Sequence, residues 1–94
     1  MKVVFRTELY GALKDDVIAV DVGSCTLGIY QCHKLFDEYQ LRTKTSLQQG
    51  TRNATPKEYL SLLTKLKNEG HEVSICNSLR KIKNNSPFQD ETSK

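Results

Sequence analysis

Apolar and polar positions alternate with a period of two over Val3 to Tyr10. Val3, Phe5, Thr7 and Leu9 fall on one side, and Val4, Arg6, Glu8 and Tyr10 on the other, which predicts a β-strand. Gly11 to Asp16 has turn chemistry, with one glycine and two aspartates. Val17 to Val22, VIAVDV, is the most apolar segment; both of its sides suit burial, so it is expected at the centre of a sheet. Asp21 interrupts it. Gly23 to Thr26 reads as a turn, Leu27 to Cys32 as a third strand with Gly28 marking a bulge or close approach, and His33-Lys34 as a tight connection. Leu35 to Thr43 alternates again and predicts a fourth strand, whereas Thr45 to Ala54 is polar around Gly50 and is expected to be a mobile loop.

The period then changes. Thr55-Pro56-Lys57-Glu58 is a capping box with proline at the first helical position. Tyr59, Leu62, Leu63 and Leu66 follow on one helical stripe, and Gly70 is a natural terminator. His71 to Cys76 predicts a fifth strand and Asn77 to Lys83 a short helical turn. The polar stretch from Asn84 to Lys94 reads as a disordered tail.

The order is ββββαβ. The fold class expected is α+β: a four-stranded antiparallel meander covered by a single layer of helix, with the last strand parallel to an earlier one because a helix precedes it. One domain over residues 1–83 and a tail over 84–94 account for the whole chain. Val3 to Tyr10, lying before the central strand, is expected to offer an open edge at which two copies can pair.

Composition narrows the class without naming a function. Of 94 residues 37% are apolar and 27% charged, the profile of a globular chain and not of a disordered one. The longest wholly apolar run, Val17 to Val20, is far shorter than the roughly 18 residues of a membrane-spanning helix. Arg6 and Glu8 stand where a secretion signal needs apolar residues. Three cysteines make an odd count without a tight pair, so a reducing, cytoplasmic setting is expected, with no disulfide framework. Cys25, Cys32, His33, His71 and Cys76 lack the close spacing of zinc ligands, and no metal or cofactor is expected.

Charge is uneven. Residues 1–39 hold four basic and six acidic groups, and residues 40–94 hold ten and five. Arg42, Lys44, Arg52 and Lys57 follow one another with no acid between, as do Arg80, Lys81 and Lys83. Such a surface attracts phosphates or acidic proteins over roughly 8 Å at physiological salt.

One segment resembles a known family. Val17-Ile18-Ala19-Val20-Asp21-Val22-Gly23-Ser24-Cys25-Thr26-Leu27-Gly28-Ile29 is similar to the first phosphate-binding turn of the actin-like ATPase and sugar-kinase superfamily, with type III pantothenate kinases the nearest look. In that superfamily an apolar strand ends in Asp-x-Gly-Ser/Thr. The likeness extends over residues 17–76, the first half of an RNase H-like lobe. It implies a phosphate held by the amides around Gly23, Ser24 and Thr26, with Asp21 holding a metal-bound water. The same family needs a second lobe, for which 94 residues leave no room. An RNase H-type nuclease also needs a carboxylate on the strand that here ends in Cys76-Asn77.

With no catalytic set complete, the expected role is that of a non-enzymatic binding module. Accessory factors and inhibitors, including those of viruses and mobile elements, share this size and profile. The partner expected is an acidic protein surface or nucleic acid, with no membrane. The expected contacts are Arg42, Lys44, Arg52, Arg80, Lys81 and Lys83. For nucleic acid, Tyr30, Phe36 and Tyr39 are the candidate stacking residues, placed on strands beside the basic stretch.

Overall fold

The computed structural model describes residues 1–36 and 40–76. Its elements are β1 (Lys2–Glu8), β2 (Val17–Thr26), β3 (Ile29–Lys34), β4 (Gln40–Thr43), α1 (Lys44–Gly50), β5 (Thr51–Asn53), α2 (Pro56–Asn68) and β6 (Ser74–Ile75), with a 3-10 turn at Gly11–Leu13 between β1 and β2. The α+β class holds. The detailed ββββαβ order does not, because the sheet has six strands and two helices flank it.

Neighbouring strands run in the order β4-β3-β2-β1-β5, all antiparallel, and β6 joins β1 in parallel. The first strand is therefore interior. One of its edges carries β2; the other carries β5 along Arg6–Glu8 and β6 along Lys2–Val3. The open edge expected at Val3 to Tyr10 is absent because segments late in the chain return to cover it.

The alternation of β1 and β2 sends their apolar residues to both faces of the sheet. Val3, Phe5 and Ala19 meet Leu62 and Leu66 of α2, with Tyr59, Leu63 and Val73 around them. Val4, Ile18, Val20, Val22, Tyr30 and Cys32 meet Leu47 of α1 on the opposite face. The single helical layer of the sequence reading becomes one helix on each side.

Helix α2 forms where its signals place it. Glu58 N–H donates to Thr55 Oγ1, and the Glu58 carboxylate accepts the Thr55 N–H. Its end is a Schellman motif, with Gly70 N–H bonded to Lys67 O, His71 N–H bonded to Leu66 O, and Gly70 at φ +95°.

Helix α1 replaces most of the expected loop. Thr43 caps it by accepting the Ser46 N–H, and Leu47 is its one buried residue. The chain then passes straight into β5, where Thr51 Oγ1 donates to Leu47 O.

The β2–β3 hairpin also differs from expectation. Strand β2 continues through Thr26, and the turn is Leu27-Gly28, both with positive φ (55° and 78°), the dihedral pattern of a type I′ hairpin. Gly28 belongs to the turn; the bulge lies in β2, where the register shifts between Asp21 and Thr26. The fourth strand is shorter than expected, with residues 37–39 outside the described set, and the last strand is reduced to Ser74–Ile75. The expected helical turn at Asn77 to Lys83 and the tail also lie outside the described residues.

Candidate functional site

In a flat sheet β1 and β4 would stand three strand spacings apart, roughly 14 Å. Glu8 would also be at the opposite end from Arg42, since Glu8 N–H bonds Asp16 O at the start of β2 while Arg42 faces Tyr30. Yet Arg42 Nη1 lies 2.6 Å from Glu8 Oε2, and Arg42 Nε donates to Ser46 Oγ at 2.9 Å. The sheet thus curls toward α1, and the Arg42–Glu8 pair bridges its two ends beneath the helix. Only 6% of the Glu8 side chain and 18% of the Arg42 side chain is exposed. Arg42, an expected partner contact, is spent inside the fold.

Strand β5 is pinned by polar contacts on both sides of β1. Arg6 donates through Nε to Thr51 Oγ1 (2.9 Å), through Nη2 to Thr51 O (2.8 Å) and through Nη1 to Asn53 Oδ1 (2.6 Å). Across the sheet, Arg52 forms a two-pronged pair with Glu58, at 2.9 and 2.6 Å. Thr7 Oγ1 donates to the same carboxylate at 3.3 Å. The Arg52 hydrogen bonds and the Thr55 amide hold the Glu58 carboxyl down at about 2. Arg52 remains exposed while paired, and Lys44 is half-buried at the first turn of α1. Lys57 is exposed at the first turn of α2. Arg80, Lys81 and Lys83 lie outside the described residues. The structure therefore leaves Lys44, Arg52 and Lys57 at the surface of the basic segment and does not gather them with Arg42.

The segment Asp21–Thr26 is committed to closing its own bulge. Asp21 Oδ1 accepts the Gly23 N–H at 3.1 Å, and Ser24 Oγ donates to Asp21 O at 2.7 Å while accepting the Gln31 N–H at 2.8 Å. Thr26 Oγ1 donates to Ser24 O at 3.4 Å. A phosphate held at this turn has to take the Gly23 amide away from the Asp21 carboxylate.

The thiols and imidazoles are dispersed. Cys25 is exposed, Cys32 buried and Cys76 half-buried. Burial raises the Cys32 thiol to about 12, which makes it inert at neutral pH. Burial, then a hydrogen bond with Cys25, raises the Tyr30 phenol to about 12. The His33 and His71 rings are 6.1 Å apart, and burial lowers the His33 pKa. Among the described residues no three His, Cys, Asp or Glu side chains converge to hold a metal ion.

Two open clefts flank α2. One, of about 270 Å³, runs between the Asp15-Asp16 turn, Lys34, Phe36 and Glu58; the other, of about 290 Å³, lies between Phe5, Pro56, Tyr59 and Ile75. Ser61 also lines the first cleft, and Cys76 the second.

Sequence reasoning missed the Arg6 and Arg42 networks because, Ser46 apart, their acceptors lie 34 to 47 residues away. The Thr43 cap before Lys44–Gln49, a stretch free of glycine and proline, was the available sign of α1. No helix among the described residues is long and apolar enough to cross a membrane. Compared with protein-family models, curated proteins and solved structures, the chain matches none of them.

Proposed function

We propose that this chain is a small non-enzymatic binding module, an accessory factor or inhibitor, which contacts an acidic macromolecular partner through its basic second half. The observation that supports it is how the uneven charge is used. Of the four basic groups between Gln40 and Lys57, the fold neutralises Arg42 internally, pairs Arg52 with Glu58 at the surface, and leaves Lys57 exposed and Lys44 half-buried. An acidic protein surface fits better than single-stranded nucleic acid. Tyr30 is buried, and Phe5 and Tyr59 stack on each other with centroids 4.3 Å apart, so these rings cannot double as a base-stacking platform beside the cations. Phe36 is exposed but lines the cleft with Asp15 and Asp16.

Fluorescence anisotropy with labelled polyglutamate and a labelled single-stranded RNA tests this. The expected result is salt-sensitive binding of polyglutamate, weakened about tenfold by Lys44→Glu with Lys57→Glu or by reversing Arg80, Lys81 and Lys83. Affinity unchanged in both variants sinks the electrostatic reading, and a clear preference for the RNA replaces the acidic protein with nucleic acid. The phosphate reading of Asp21, Gly23, Ser24 and Thr26 has its own check: it requires amide shifts from Gly23 to Thr26 on adding Mg-ATP.

A further inference from the structure

The interior position of β1 moves the question of an open strand to the other end of the sheet. Among the described residues, nothing pairs with the outer side of β4. The register fixes which backbone groups face that side. Lys44 N–H bonds Gly28 O, and Ile29 is opposite Thr43. Hydrogen-bonded and non-bonded pairs alternate along an antiparallel ladder. Arg42 and Gln40 therefore bond inward to β3, while Leu41 turns both its N–H and its C=O outward.

Three exposed aliphatic side chains gather around this edge, whose polar residues are Gln40 and Thr43 and whose C-terminal end is flanked by Lys44. Leu41 is 61% exposed and Leu27, at the hairpin tip, 96%. Ile29, diagonal to Leu41 on the same face, is also exposed. Natural edges are blunted by lysine, proline, a bulge or an inward-pointing charge. Here the single charge on β4 is Arg42, whose guanidinium is turned under α1 and held by Glu8.

We propose that a second copy of this chain pairs with the first along β4, antiparallel, about a two-fold axis at Leu41. The argument for a second copy is self-complementarity. Centred on Leu41, each Leu41 N–H meets the Leu41 C=O of the other copy, the two leucine side chains lie side by side, and Gln40 faces Arg42. No like charges oppose each other. The two Leu41–Ile29 patches merge into one apolar strip at the join. The strand is only four residues long, and its footprint falls short of the roughly 800 Å² a side of a standard stable interface. The dimer is therefore weak and concentration-dependent, and it leaves the surface carrying Lys57 and Arg52 free for another partner.

Sedimentation velocity on the full chain, from about 10 μM to about 1 mM, tests the proposal in the range where weak pairs form. The expected result is a monomer–dimer equilibrium that Leu41→Pro abolishes. Leu41→Pro removes only an outward N–H, so it keeps the ladder to β3 and leaves the far-UV circular dichroism unchanged. If that variant does not fold, Leu41→Lys, which keeps the backbone intact, carries the same test. A wild-type monomer throughout, or a dimer that persists in the folded Leu41 variant, overturns the proposal. These outcomes are read without any partner, so they are distinct from failure of the binding-module reading.

Discussion

The two faces of the sheet are closed in different ways. On one, α2 brings two fully buried leucines, a ring of half-buried apolar residues and a capping box that can be read from four consecutive residues. On the other, α1 brings one leucine, and the closure is completed by an ion pair between residues 34 apart. The first face is held redundantly by many similar contacts. The second depends on a plug and a bridge, neither of which has a substitute nearby. Robustness to mutation should differ accordingly.

The largest expected difference is at the plug. Leu47→Ala should cost about 4 kcal/mol, near the top of the range for buried leucines. Leu62→Ala, with Leu66 and Leu63 beside it, should cost about 3 kcal/mol. Urea unfolding of both variants measures this, and a smaller loss at Leu47 than at Leu62 would dissolve the contrast. Next is the bridge. Arg42→Ala should cost about 3 kcal/mol, because it strands the Glu8 carboxylate in a buried site. Arg42→Met combined with Glu8→Leu should recover most of that loss, since removing both charges leaves neither unpaired.

On the α2 face the ion pair is exposed and the effect is read against pH. The Glu58 carboxyl is held at about 2 by Arg52 and the Thr55 amide, below its ordinary value near 4.3 in an unfolded chain. Its contribution to stability is thus present above pH of about 4.3 and is lost as the pH falls toward 2. Glu58→Gln should flatten the stability profile in that window while leaving the urea midpoint at pH 7 lowered only modestly. An unchanged profile would remove Glu58 from the account. The smallest effect has the opposite sign. Leu27 is exposed at φ +55°, so Leu27→Asn, which creates the favoured Asn-Gly turn, should stabilise the hairpin by about 0.5 kcal/mol. Thermal unfolding detects it as a small rise in midpoint.

The same asymmetry decided what the sequence made legible. Helix α2 was readable from end to end because cap, stripe and terminator are all local. Strands β1 and β2 were readable because both sides of a buried strand leave an apolar signature. Helix α1 left almost none: one apolar residue in seven has no period, and its place is fixed by where Leu47 lands. The centrality of β1 was equally hidden, since β5 and β6 are three and two residues long and are defined by pairing and not by composition. For the basic contacts, counting charges found the segment but could not tell Arg42, whose acceptor is far away in the chain, from Lys57, which has solvent around it.

The return of β5 and β6 to β1 also has a consequence for how the protein is made. Strand β1 leaves the ribosome before the other strands of the sheet, and β2, its neighbour on one side, soon follows. The other side stays bare until residues 51–76 have been synthesised. During that interval the nascent chain displays an unpaired strand carrying Val3, Val4 and Phe5, the type of edge that recruits other chains. A product truncated before Thr51 would keep that edge permanently, and should be found in inclusion bodies while the full chain is found in solution.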